Sequence, residues 1–198
     1  MKVVITGHTT GIGKRLYEHF QTRGCEVVGM SRSNGYDLNT DIDRVIADAT
    51  GCFLFINNAA VADCQKQLLE ALHDKVQKMV VMGSIAGDYH ALIQSDYSKN
   101  KLDLAIRCKE LSLVPGNTLL HLNISMLEDA ESSDNLISFD EVVNTINFWL
   151  TNSRINKIDF EFKLTPYTLE KVKEKFNASQ EAIDHVVANM CDINRSKF

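Results

Sequence analysis

The chain has 198 residues, 44% of them hydrophobic and 24% charged, an ordinary composition for one folded domain with a full core. With 21 Lys and Arg against 26 Asp and Glu the net charge is −5, without a basic run, which argues against nucleic acid as a partner, and no stretch of about 18 uninterrupted apolar residues suggests a membrane span. Five cysteines without a C-x-x-C pattern and six singly scattered histidines predict reduced thiols, a cytoplasmic setting and no structural metal site.

In chain order, Lys2–Thr6 is a β-branched run that meets glycine too early for a secretory signal and reads as a first strand. A helical pattern (Ile12, Leu16, Phe20) follows to about Arg23. Between them lies Thr6-Gly7-His8-Thr9-Thr10-Gly11-Ile12-Gly13. Strand, glycine-rich turn and helix in that order let backbone N–H groups and a helix N-terminus hold a pyrophosphate, because side chains there would block the approach.

Glu26–Met30 predicts a second strand and closes a βαβ unit. At its end, where a carboxylate would bind a ribose 2′-hydroxyl, stand Ser31, Arg32 and Ser33. A guanidinium and two hydroxyls accept a 2′-phosphate, which a carboxylate would repel. Asn34-Gly35 marks a turn, and Tyr36-Asp37-Leu38 is too short for more than a token strand. Asp41–Ala49 carries a helical stripe. Cys52–Ile56 is continuously apolar, as a parallel sheet covered on both faces requires. It runs into Asn57-Asn58-Ala59-Ala60, small and amide-rich, at the strand edge where such sheets bind ligands.

Gln65–Val76 reads as a helix and Met79–Met82 as the strand that leads to Gly83-Ser84. A helix starting near Ser95 carries Tyr97 and Lys101 one turn apart on one face, with Tyr97 thirteen residues after Ser84. A phenol beside an ammonium suits proton transfer to a carbonyl oxygen, because a cation within about 4–6 Å favours the phenolate. Ser84 can hydrogen-bond the same oxygen. Beyond Pro115-Gly116, a strand is predicted at Thr118–Ile124, an acidic loop over the site at 125–138, a helix at Phe139–Leu150 and a last strand at Ile158–Phe162. Two further helices are predicted at Thr168–Phe176 and Gln180–Met190.

Taken together, Thr6-Gly7-x-x-x-Gly11-Ile12-Gly13, Asn57-Asn58-Ala59-Ala60 and the Ser84, Tyr97, Lys101 set make residues 2–163 resemble the short-chain dehydrogenase/reductase family. The resemblance implies an α/β Rossmann-like doubly wound parallel sheet over residues 1–163, with 164–198 as a C-terminal helical extension. It implies an enzyme with hydride transfer between a nicotinamide and a small-molecule carbonyl or secondary alcohol. Tyr97 is then general acid or base, Ser84 polarises the substrate oxygen, and Lys101 binds the nicotinamide ribose while tuning the tyrosine. Gly7, Thr9, Thr10, Gly11, Ile12 and Gly13 line the dinucleotide site with Ser31, Arg32, Ser33, Asp37, Leu38, Asn57, Asn58, Ala59 and Ala60, and Asp37 contacts the adenine. Homodimer or homotetramer formation is implied as well.

The chain departs from the family pattern in four places. No asparagine follows Asn58 before Ser84, so the fourth catalytic member has no counterpart and water or a carbonyl is expected behind Lys101. The stretch from Arg32 to Asp37 is trimmed. Ile124-Ser125 stands where the family writes Pro-Gly, and Thr10 stands where NADP-preferring members often carry a basic residue. Arg32 remains the main support for NADP(H) over NAD(H). The competing reading is a regulatory protein that binds the dinucleotide without turnover.

Overall fold

The computed structural model describes residues 1–124, 137–152, 155 and 157–160. Six strands, β1 (Lys2–Thr6), β2 (Glu26–Met30), β3 (Leu54–Asn57), β4 (Lys78–Met82), β5 (Leu119–Ile124) and β6 (Lys157–Phe160), form one sheet in the order β2-β1-β3-β4-β5-β6. All five pairings are parallel. The order reverses at β1, which has β2 on one side and β3 on the other; at such a switch point the loops part and leave a crevice above the carboxyl ends.

The strand sequences are apolar throughout because both faces are covered. Side chains alternate across a strand, so Val3, Ile5, Leu54, Ile56, Val80, Met82, Leu120 and Leu122 share one core with Leu16 and Phe20 of α1 (Gly11–Thr22) and Val142, Ile146 and Trp149 of α6 (Phe139–Thr151). Val4, Phe55, Met79, Val81 and Leu119 build the opposite core with α2 (Ile42–Ala49), α3 (Cys64–Leu72) and α5 (Asp96–Ser112). A single turn of helix, α4 (His90–Ile93), interrupts the loop between β4 and α5.

Most elements fall within a few residues of their sequence expectation, and β2 matches it. The token strand at Tyr36–Leu38 is corrected: a 3₁₀ turn at Arg32–Asn34 and further turns occupy that edge. Gly35, at φ 85°, ends the 3₁₀ turn in the left-handed region and sends the chain off the sheet. α3 is shorter than its apolar stripe suggested, ending at Leu72. The acidic loop at 125–136, the end of the last predicted strand at 161–162 and both carboxyl-terminal helices lie outside the described residues. Among the described residues no helix is long and apolar enough to cross a membrane.

Phe20 is 2% exposed beneath α1, and its ring anchors the helix whose first turn faces the crevice. Truncation leaves a large cavity, so Phe20→Ala should lower the unfolding free energy by about 3–5 kcal/mol. Urea denaturation measures this; a loss under about 1 kcal/mol would contradict the packing described.

Candidate active site

The crevice opens over the carboxyl ends of β1, β3 and β4 and has a volume of about 1210 Å³, beyond the roughly 300–1,000 Å³ of a pocket for a drug-sized ligand. Its floor at one end is the glycine turn. Gly7 adopts φ 69°, a region glycine enters without strain. A Cβ on Gly13 would lie 2.1 Å from the Gly7 carbonyl oxygen and 2.7 Å from Asn58 Nδ2. No larger residue fits at position 13 while the turn keeps this shape. Thr9, Thr10, Gly11 and Ile12 continue the wall, and α1 starts at Gly11 with its N-terminal end at the crevice. Unpaired N–H groups and the positive end of the macrodipole make that end suited to a phosphate.

The turn is stapled to β3. Thr6 Oγ1 accepts hydrogen bonds from the backbone N–H of Asn58 (2.9 Å) and Ala59 (3.0 Å). Asn58 Nδ2 donates to the carbonyls of Thr6 (3.0 Å) and Gly7 (3.2 Å). Asn58, Ala59 and Ala60 thus line the crevice as expected, with the Asn58 amide engaged in holding the turn. Asn57 is the correction. It is absent from the crevice wall, fully buried, and its Nδ2 donates to the carbonyl of Gln65 at 2.7 Å. Adjacent strand residues point to opposite faces, so one of the two asparagines had to face away from the turn.

At the other end, Ser31, Arg32 and Ser33 form the rim. Their backbone is fixed by Asn34, whose Oδ1 accepts from Ser31 N–H (2.8 Å) and whose Nδ2 donates to the Gly29 carbonyl (2.6 Å). The Ser31 and Ser33 hydroxyls are 2.8 Å apart. Arg32 is exposed and, among the described residues, makes no ion pair. Asp37 and Leu38 also reach the wall. Asp37 Oδ1, however, accepts from both the backbone and side-chain nitrogens of Asn39 at 3.0 Å, and Leu38 belongs largely to the core. Tyr36, assigned no role from sequence, lines the same wall. Its hydroxyl donates to Asp48 at 2.8 Å, the Arg44 guanidinium lies 4.5 Å over its ring, and the Asp48 hydrogen bond holds the phenol above its ordinary pKa.

Ser84, just beyond β4, lines the crevice together with Tyr97 and Lys101. Helix α5 starts where Ser95 caps it: the Ser95 hydroxyl accepts from Ser98 N–H, and Ser98 Oγ accepts in return from Ser95 N–H, both at 3.1 Å. Tyr97 then sits in the first turn, 44% exposed, and Lys101 lies one turn on at 5%. Lys101 Nζ is 5.5 Å from the centre of the Tyr97 ring. Half-buried Ser84 accepts a 3.3 Å hydrogen bond from Ala86 N–H, leaving its own proton to donate.

The ammonium of Lys101 donates to Gln65 Oε1 at 2.7 Å and to the Met82 carbonyl at 2.8 Å. Burial brings it down to about 8, with Cys108 pulling weakly the other way. It is therefore charged at neutral pH. Gln65 is the residue that sequence reasoning missed. A glutamine at the start of an amphipathic helix carries no signal of its own, and it is visible only once α3 packs beside β4. Burial pushes the thiols of Cys52 up to about 11 and Cys108 up to about 12, leaving both inert.

Solved structures share this fold. They include a short-chain dehydrogenase from Sphingobium yanoikuyae in complex with NADPH (17% identity, TM-score 0.59, 80% of this chain against 87% of that one). A second is a short-chain dehydrogenase from Burkholderia cenocepacia in complex with NADP (16%, 0.62, 81% against 87%). A third is a 3-alpha-hydroxysteroid dehydrogenase from Pseudomonas sp. B-0831 with NADH (17%, 0.54, 80% against 95%). No family model and no curated protein sequence matches the chain.

Burial of Lys101 makes stability depend on pH in a defined direction. Its folded value of about 8 lies below its ordinary 10.5, so between these limits the unfolded chain binds the proton more tightly. The cost of burying the charge is complete below pH 8 and disappears as pH rises toward 10.5. Across that window wild-type stability should gain on Lys101→Met by up to about 1.4 kcal/mol per pH unit. Urea unfolding of both proteins at pH 7.5, 8.5 and 9.5 checks this, and a constant difference would refute it.

Proposed function

We propose that the chain is an NADP-dependent oxidoreductase of the short-chain dehydrogenase/reductase type, interconverting a carbonyl and a secondary alcohol of a small molecule. One observation carries the reading: an exposed phenol, a buried ammonium and a serine hydroxyl share the wall of a crevice that also contains a glycine turn with no room for a Cβ at Gly13. The resemblance of the fold to enzymes solved with NADPH, NADP or NADH supports it.

The residues present fit a dinucleotide. The glycine turn and the start of α1 suit the pyrophosphate, Ser31, Arg32 and Ser33 suit a 2′-phosphate, and Tyr36 offers a ring face beside Asp37 and Leu38 for the base. When bound, the nicotinamide supplies or accepts the hydride. The chain's own residues manage the proton. In reduction, Tyr97 donates its phenolic proton to the substrate oxygen while Ser84 donates a hydrogen bond to the same atom. Lys101 favours the phenolate left behind, because a cation beside a phenol stabilises its ionised form. An ammonium has three donors. Two hold Gln65 and Met82, and the third is free for the crevice side. A regulatory binder of the dinucleotide has no need of an accessible phenol set beside a buried charge, so turnover is the reading the site favours.

Tyr97→Phe should lower kcat for any accepted carbonyl by about 10²–10⁴-fold and leave the NADPH Kd within about threefold. Undiminished turnover would end the catalytic assignment. Fluorescence titrations with NADPH and NADH should show at least about tenfold preference for NADPH, about 1.4 kcal/mol, abolished in Arg32→Ala. A wild-type preference for NADH would remove Arg32 from the 2′-phosphate role.

A further inference from the structure

Gln65 is 4% exposed, and every hydrogen bond described for its side chain ends on a group at the carboxyl edge of the sheet. Its Nε2 donates to the carbonyls of Asn57 (2.9 Å) and Met82 (3.1 Å), and its Oε1 accepts from Lys101 Nζ (2.7 Å). Its backbone carbonyl in turn receives Asn57 Nδ2 at 2.7 Å. The amide cannot flip without facing its oxygen toward two carbonyls and its NH₂ toward an ammonium. Its orientation is therefore fixed, and with it the point at which the Lys101 charge is held.

We infer that Gln65 is the positioning residue for Lys101: clamped between the ends of β3 and β4, its side-chain oxygen keeps the ammonium one helical turn from Tyr97. The inference rests on the reading of Tyr97 and Lys101 as the working pair and assigns the support that sequence reasoning left to water or a carbonyl. Lys101 enters the helix face that packs on β4 and α3, where a cation without acceptors would be expelled or neutralised. Met82 supplies one acceptor and Gln65 the other. The neighbouring hollow of about 200 Å³ is lined by Asp63 and Lys66 from the α3 side, and by Asp96, Tyr97 and Asn100 from α5. Beyond this hollow, Cys108 lies further along α5, His90 of α4 has its Nδ1 2.9 Å from Ser98 Oγ, and β5, which also packs on α5, carries the buried His121.

Two substitutions with opposite consequences test the assignment. Gln65→Met keeps the length and apolar volume but removes the acceptor, so Lys101 should release its proton at least one pH unit lower than in wild type. Gln65→Glu keeps an oxygen facing the ammonium and adds a negative charge, so release should move at least one unit higher. Each shift is read from the pH dependence of urea unfolding, with every protein referenced to its own Lys101→Met partner. Opposite displacements confirm the role. An unmoved titration in both, or in Gln65→Glu alone should Gln65→Met not fold, overturns it.

The second readout is NADPH-dependent reduction of a small aromatic α-diketone. Gln65→Met should lose at least tenfold in kcat while its NADPH Kd stays within threefold; unchanged kcat overturns the positioning role. Should wild type not turn over this probe, the titration alone decides. Failure of the enzymatic reading shows separately, as undiminished activity of Tyr97→Phe or absence of NADPH binding.

Discussion

A charge placed out of water constrains this molecule more than any other single feature. Lys101 is nearly fully buried, yet it also lines the crevice. An isolated ammonium in such a place would cost several kcal/mol, and the fold offsets that cost only by bringing three elements to one point. β4 must end at Met82 to present its carbonyl, α3 must begin early enough to send Gln65 inward, and α5 must be capped at Ser95 for Lys101 to fall on the packed face. Shift any of these by one residue and an acceptor is lost.

The glycine turn obeys a constraint of the opposite kind, set by space. Gly13 packs against the Gly7 carbonyl because α1 must lie close on β1 for its N-terminus to reach the crevice. That closeness is maintained from the neighbouring strand. Four hydrogen bonds join Thr6 and Gly7 to Asn58 and Ala59 across the turn and β3, so the position of one ligand-facing loop is fixed by the register of β1 against β3. The glycine turn and the Lys101 site are thereby linked through adjacent residues: Asn58 braces the turn, while Asn57, its neighbour, braces Gln65 and through it Lys101.

This linkage explains what could be read from sequence and what could not. Buried parallel strands announce themselves as unbroken apolar runs, and Phe55-Ile56 or Val80-Val81 cannot be mistaken for surface. Ser95, a good capping residue ahead of a polar turn, placed α5 and hence the Tyr97/Lys101 face. The glycines and Ser84 declared themselves because their spacing is distinctive. Polar residues that serve other polar residues left no such trace. Asn57 looked as exposed as Asn58 until β3 extended through it, and Gln65 looked like an ordinary first-turn glutamine. Tyr36, in a stretch that forms no strand, lines the crevice wall without any pattern in the sequence to mark it.

On the proposed reading, exposure divides the labour between Tyr97 and Lys101. A phenol that meets a substrate which arrives and leaves must be reachable, and Tyr97 stands nearly half exposed at the helix start. Lys101 has to act electrostatically, and a charge acts most strongly where water cannot screen it. A lysine at the surface could bind a ribose hydroxyl equally well, but its influence on a phenol some 5.5 Å away would be diluted by solvent. Burying the cation and exposing the phenol, one turn apart on a single helix, sets an accessible hydroxyl in front of a fixed source of potential. The arrangement holds only as long as the buried partner stays charged, and the acceptors on α3 and β4 are what keep it so.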